Sequence, residues 1–146
     1  MTPPASDGCL FCRIAAGDEP AAIVHADDET VAFLDVRPVF EGHVLVIPRA
    51  HVETLPELPA DELVPVMGLV QRVCEAVEGG LGAHGTFVAM NNRVSQSVPH
   101  LHVHVVPRRR KDGLRGFFWP RTRYEGDRME VVAEQIRAAL VADRTG

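Results

Sequence analysis

Two short runs of β-branched and aromatic residues, Ile23-Val24-His25 and Thr30-Val31-Ala32-Phe33-Leu34-Asp35, flank the acidic turn Asp27-Asp28-Glu29 and predict a pair of strands. Arg37-Pro38 and Glu41-Gly42 then break the chain before a third strand, His43-Val44-Leu45-Val46-Ile47, so the opening reads as an antiparallel meander. From Leu63 the period changes. Val66, Met67, Val70, Val73, Cys74 and Val77 recur at spacings of three and four, which predicts a helix laying one face on a sheet and puts Cys74 in the core. Its start is expected near Pro59 to Asp61, with Pro65 tolerated in the first turn or kinking the helix, and its end at Gly79-Gly80. The segments 86–90 and 100–106 predict two more strands on either side of a short polar loop. Asp127-x-x-Glu130 has the spacing of a capping box and predicts a terminal helix whose Val132, Ile136, Ala139 and Leu140 face inward. The expected architecture is α+β: one domain over 1–146, with a five-stranded antiparallel sheet, one long helix and a C-terminal helix, and with 1–8 and 108–128 irregular.

Composition narrows the class. A chain of 146 residues buries roughly 68–70% of its unfolded surface, enough for a core without disulfides. Apolar residues at 46% and charged residues at 24% exclude a disordered chain, and no run of about 18 apolar residues exists to span a bilayer. The polar start from Met1 to Gly8 lacks the features of a secretory signal, so a cytoplasmic protein with no membrane partner is expected. The net charge of −5 hides an asymmetry: residues 1–79 hold 14 acids and 4 bases, whereas 80–146 hold 6 acids and 11 bases. Eight of the 15 Lys and Arg fall between Arg108 and Arg128, which would draw a small anion to that side, the plain alternative being a solvated loop. A pI near 5.8 fits nucleic acid poorly and a small phosphorylated ligand better.

The candidate chemistry is concentrated in histidine and cysteine. In His100-Leu101-His102-Val103-His104-Val105-Val106, strand alternation places three imidazoles on one face about 7 Å apart and Leu101, Val103 and Val105 on the other. Imidazole titrates near neutrality, so the cluster suits metal binding or nucleophilic and acid–base work on phosphate. Cys9-x-x-Cys12 in a reducing compartment points to metal or redox chemistry, although two thiolates supply only half of a tetrahedral zinc shell. His25 and His84, in turns and without partners, are expected to be surface residues.

The triad run resembles the defining motif of the histidine triad (HIT) superfamily of nucleotide hydrolases and transferases. The resemblance extends to Gly42-His43-Val44-Leu45-Val46-Ile47-Pro48-Arg49-Ala50-His51, to the opening Cys9-Leu10-Phe11-Cys12-Arg13-Ile14, and to Gln96-Ser97-Val98, in the same order from 9 to about 107. It implies that His102 is the nucleophile that becomes nucleotidylated, with the His100 carbonyl accepting the proton of its other ring nitrogen. It also implies that His104, Ser97 and His43 bind the non-bridging phosphate oxygens, that Asp35 holds the ribose hydroxyls, and that Leu10, Phe11, Ile14, Phe33 and Val36 form an apolar slot for a purine. Asn91, near the ribose and phosphate, and Gln96 complete the implied nucleotide contacts.

In relatives that keep the Cys pair, His51 and His100 complete a Cys2His2 zinc site, so the resemblance implies a structural zinc on Cys9, Cys12, His51 and His100. It further implies a homodimer with the two sheets joined. Gln96-Ser97-Val98 leans toward the HINT-like phosphoramidase branch: cleavage of the α-phosphate bond of a purine nucleotide conjugate through a His102-nucleotidyl intermediate. Three other readings stay open. One is diadenosine polyphosphate hydrolysis, with Gly116-Phe117-Phe118-Trp119-Pro120 and its arginines near the site. The others are a nucleotide-binding regulatory protein with vestigial turnover, and a zinc protein in which the triad itself ligates metal.

Overall fold

The computed structural model describes residues 8–114 and 121–145, in two compact units, 1–112 and 113–146. The first unit is built on a five-stranded antiparallel sheet: β1 (Ile23–Ala26), β2 (Thr30–Leu34), β3 (Val44–Pro48), β4 (Gly85–Ala89) and β5 (Val103–Arg108), in the order β1-β2-β3-β5-β4. All five predicted strands are present, most with ends shifted by a residue.

Both faces of the central strands are covered, which explains why β3 carries an unbroken apolar run instead of alternation. Val44 and Val46 face one cluster with Ala32, Val103 and Val105, while Leu45 and Ile47 join Val31 and Phe33 in a second cluster on the opposite face. The first face is capped by α2 (Ala60–Leu81), which buries Val66, Leu69, Val70, Val73 and Val77. The buried stripe is rotated from the expected one: Leu69 is in it, whereas Leu63 and Met67 are exposed and Cys74 sits at its margin, half-buried. Two helix signals also read differently in space. Gly79 and Gly80 do not stop α2, which runs on to Leu81 and ends on Gly82 in the left-handed region (φ 68°). Pro65 lies past the first turn, inside the helix, so its ring displaces the bond that the Asp61 carbonyl would accept.

The second face is covered by a helix the periodicity does not reveal, α1 (Leu10–Ala16). It is too short to show a stripe, and it is fixed by its ends: Cys9 Sγ accepts the Cys12 N–H at the N-cap, and Gly17 (φ 83°) returns its N–H to Arg13 and Ile14. Phe11, Cys12 and Ile14 are its buried side chains, and Phe11 meets Phe33 edge-on at 5.3 Å.

The second unit holds α3 (Arg128–Thr145), beginning where the capping-box spacing places it. Ile136 and Leu140, expected to face inward, are exposed. Its polar surface is laced by Arg137 to Glu130 and Glu134 at 2.6 and 2.9 Å. Among the described residues no helix is long and apolar enough to cross a membrane.

Candidate functional site

β5 begins at Val103, so His100 and His102 precede it and only His104 lies within it. Leu101 leaves the ladder to donate its N–H to the Val52 carbonyl at 2.6 Å. Leu101, Val103 and Val105 are fully buried, as alternation requires, but His100 and His102 are buried as well. The cause is α1: the Phe11 ring packs edge-on against His102 at 5.0 Å and against His100 at 6.0 Å. His102 and His104 sit with ring centroids 5.0 Å apart, closer than their backbone spacing.

Hydrogen-bond partners fix the protons. His102 Nδ1–H donates to the His100 carbonyl at 2.7 Å, which leaves Nε2 with its lone pair. The Val39 N–H donates to His43 Nδ1 at 3.1 Å, so a neutral His43 carries its proton on Nε2. That Nε2–H donates to His104 Nδ1 at 2.9 Å, and His104 in turn carries its proton on Nε2. Burial holds both rings neutral: it lowers the His43 pKa against the opposing pull of Asp35, and lowers that of His104 to about 4, with His102 and His43 adding to the effect. The pair therefore ends in a fixed, uncharged N–H donor. Asp35 Oδ2 stands 3.7 Å from His43 Nε2 while Oδ1 accepts the Arg37 N–H at 2.9 Å.

A cleft of about 320 Å³ opens beside these groups, lined by His102, His104, Ser97 and Asp35 together with Leu10, Phe11, Ile14, Phe33 and Val36. Nine residues singled out in the sequence thus converge on one cavity. Leu34, Leu45 and Val98, which the sequence marks only as strand or motif positions, also line it, as does the stretch Glu19-Pro20-Ala21, which carries no sequence signal. His43 stands one step behind the cleft, touching it through His104. Asn91 and Gln96 are not among the cleft-lining residues and make loop bonds: Asn91 donates to the Ser95 carbonyl, while Gln96 accepts from the Arg93 N–H and donates to the Glu53 carbonyl. Arg93 and Ser95 adopt positive φ there, which those bonds hold in place. A larger groove of about 870 Å³ between α2 and the β1–β2 side contains none of the triad. The segment 116–120 lies outside the described residues.

The second constellation is Cys9, Cys12, His51 and His100, whose four ligand atoms lie within 4.8 Å of one another. Cys9 Sγ is 3.4 Å from His100 Nδ1, and Cys12 Sγ is 3.3 Å from His51 Nδ1 and 3.5 Å from His100 Nδ1. A tetrahedral ion with M–S of about 2.3 Å and M–N of about 2.0–2.1 Å needs N···S edges of roughly 3.5 Å. His100 Nε2–H donates to the Pro48 carbonyl at 2.8 Å, which turns the Nδ1 lone pair toward the thiols, as ligand histidines require. This set could hold a metal ion. Asp35, His43 and His104 also cluster, but the Val39 N–H claims His43 Nδ1 and leaves Nε2 protonated, so that group is a hydrogen-bonded chain and not a ligand set. His25 and His84, expected to lack partners, have them: His25 meets Asp27 at 2.9 Å and His84 Nδ1 accepts the Arg110 N–H.

Comparison with known proteins agrees with this layout. An uncharacterized HIT-like protein of Methanocaldococcus jannaschii is 41% identical over 107 residues, 72% of this chain and 82% of that one. The adenosine 5'-monophosphoramidase of Schizosaccharomyces pombe is 31% identical over 134 residues, covering 90% of this chain and 98% of its own. The crystal structure of a Zn-bound histidine triad family protein from Mycobacterium smegmatis superposes with a TM-score of 0.71 at 38% identity, covering 78% of this chain and 84% of that one. Residues 16–111 match the HIT domain, and the chain belongs to that family.

Proposed function

We propose that this chain is a nucleotidyl hydrolase or transferase that cleaves the α-phosphate bond of purine nucleotide conjugates of the phosphoramidate type. The observation that carries the reading is the His102 Nδ1–H bond to the His100 carbonyl, because it assigns the proton to Nδ1 and leaves Nε2 as the nitrogen available for attack on the cleft side. His102 Nε2 attacks the α-phosphorus as the P–N bond breaks, the amine leaving with the bonding pair and taking a proton from solvent; water then attacks the nucleotidyl-imidazole, releasing the nucleoside monophosphate and restoring His102. His104 Nε2–H and the Ser97 hydroxyl donate to the non-bridging oxygens as their charge rises, an electrostatic role commonly worth several kcal/mol. His43 acts through His104 by fixing its tautomer. Asp35 takes the ribose hydroxyls, and Leu10, Phe11, Ile14, Phe33 and Val36 hold the base.

Cys9, Cys12, His51 and His100 would hold a structural zinc, supported by the fit of their distances and by the Zn-bound relative. Bound there, zinc would cross-link α1 to the triad strand and, being redox-inactive, would have a structural role. A cytoplasmic location keeps the thiols reduced, and the protein is read as a homodimer. Support for the reaction class comes from the fission-yeast relative, named a monophosphoramidase. The test is turnover of adenosine phosphoramidate, diadenosine polyphosphates and nucleotide sugars, with mass spectrometry of the quenched enzyme. Nucleotidylation of His102, and its loss together with turnover in His102→Ala, is expected. A label on Ser97, or near-normal turnover by His102→Ala, refutes the mechanism.

A further inference from the structure

The cleft crosses the sheet. Its triad end lies at the start of β5; Leu45 on β3, Phe33 on β2 and Asp35 just past the end of β2 form its floor, and Glu19-Pro20-Ala21 close it ahead of β1. The Leu34 N–H donates to the Ala22 carbonyl at 3.0 Å, which ties this closing segment alongside the end of β2 where Asp35 and Val36 follow. From β5 to β1 is three inter-strand spacings, roughly 14 Å, the length scale of an extended nucleoside monophosphate. With phosphate at His102 and His104 and ribose at Asp35, the far edge of the base reaches the 19–21 wall.

That wall is apolar apart from Glu19. Phe11, Ile14 and Phe33 hold any flat base by contact and do not distinguish one purine from another. Glu19 Oε2 faces Arg13 Nε at 3.5 Å with both side chains more than a third exposed, a long pairing of little strength. Its second oxygen has no partner among the described residues. A carboxylate accepts and never donates, so it discriminates by where the base carries N–H groups. Guanine offers two adjacent donors on its Watson–Crick edge, N1–H and the exocyclic amino group, matching the two carboxylate oxygens. Adenine opposes it with the N1 lone pair and offers one amino group; hypoxanthine keeps N1–H but lacks the amino group.

We infer that Glu19 is the specificity residue of this cleft and selects guanine nucleotides over adenine nucleotides. This rests on the nucleotide reading above and supplies the base that reading leaves open. Because Glu19 is at the solvent rim, water competes for its hydrogen bonds and the preference is about tenfold, well short of what a sealed site gives.

The experiment is calorimetric titration of the intact protein with GMP, IMP and AMP, repeated for Glu19→Ala and Glu19→Ile. GMP is expected to bind about tenfold more tightly than AMP, with IMP between. In both variants GMP should fall to the affinity of AMP while AMP changes little. Glu19 contributes no buried contact, so a melting curve matching the parent protein is expected alongside. Equal binding of GMP and AMP by the parent, or a guanine preference that survives Glu19→Ala, overturns the inference and leaves the nucleotide reading intact. Failure of every nucleotide to bind sinks both.

Discussion

Asp35 has two tasks that a single substitution can separate. One oxygen accepts the Arg37 N–H and closes the turn after β2, while the other, beside His43, faces the cleft and is read as the ribose acceptor. Asp35→Asn keeps an acceptor oxygen for the turn and replaces the cleft-side oxygen with an amide that only donates. A hydroxyl-to-carboxylate bond is worth about 1.5–3 kcal/mol, about a ten- to hundredfold factor in kcat/KM. The turn bond survives, so stability should change by less than about 0.5 kcal/mol. The assay compares Asp35→Asn with the parent on matched ribo- and 2',3'-dideoxynucleotide conjugates. The ribonucleotide should lose the full factor and the dideoxy analogue almost nothing, because it lacks the hydroxyls. Equal losses on both substrates, or a large fall in melting temperature for Asp35→Asn, would return Asp35 to a purely structural role.

Three further outcomes are expected. Cys12→Ser should lower metal content, melting temperature and turnover together, since one thiolate fewer leaves an incomplete tetrahedral shell; elemental analysis near zero for the parent with full activity counts against the zinc. Gly42→Ala should be destabilising and cut turnover more than Val36→Ala, because φ at Gly42 is 93° and an added Cβ would run into Leu81 and Pro107 next to His43; circular dichroism melts and kcat read the two effects. His104 stays neutral in the folded chain down to about pH 4, whereas an unfolded histidine protonates near 6.5. The unfolded state therefore binds more protons in that window, stability should fall as pH drops from 6.5 toward 4, and His104→Asn should flatten the slope in denaturant titrations.

The parts of the fold visible in the sequence are those whose signal is local. Val66, Val70, Val73 and Val77 repeat with helical period, and Phe33, Leu45 and Val103 sit among β-formers, so α2 and the sheet can be read directly. What escaped was set by tertiary covering. α1 is seven residues long, and its cap is a thiol, not the usual hydroxyl or carboxylate. Leu69, three residues after Val66 and four before Val73, shares the helical period, but which side of that broad stripe is buried, Leu69 or Met67, is decided by where the sheet lies. At the site, residues with distinctive chemistry were legible. Glu19 was not, since a glutamate after a Gly-Asp turn looks like any solvated charge until the cleft is drawn around it.

His100 explains why the cysteine corner and the triad belong to one device. Its four polar groups each have a different partner: Nδ1 faces Cys9 and Cys12, Nε2–H donates to the Pro48 carbonyl, the backbone N–H donates to the Val98 carbonyl, and the carbonyl accepts from His102. A rotation of the His100 ring is resisted by the thiols and by β3, and a shift of its peptide moves the acceptor that fixes the His102 tautomer. Reactions at phosphorus are sensitive to misplacement on the scale of 1 Å, at a cost of about a hundredfold. Phe11 adds the second restraint, packing against both His100 and His102 from α1, which the same cysteines anchor. The Cys-x-x-Cys corner thus lies outside the cleft that His102 lines yet sets the position of His102 by two routes, one through a backbone carbonyl and one through an aromatic ring.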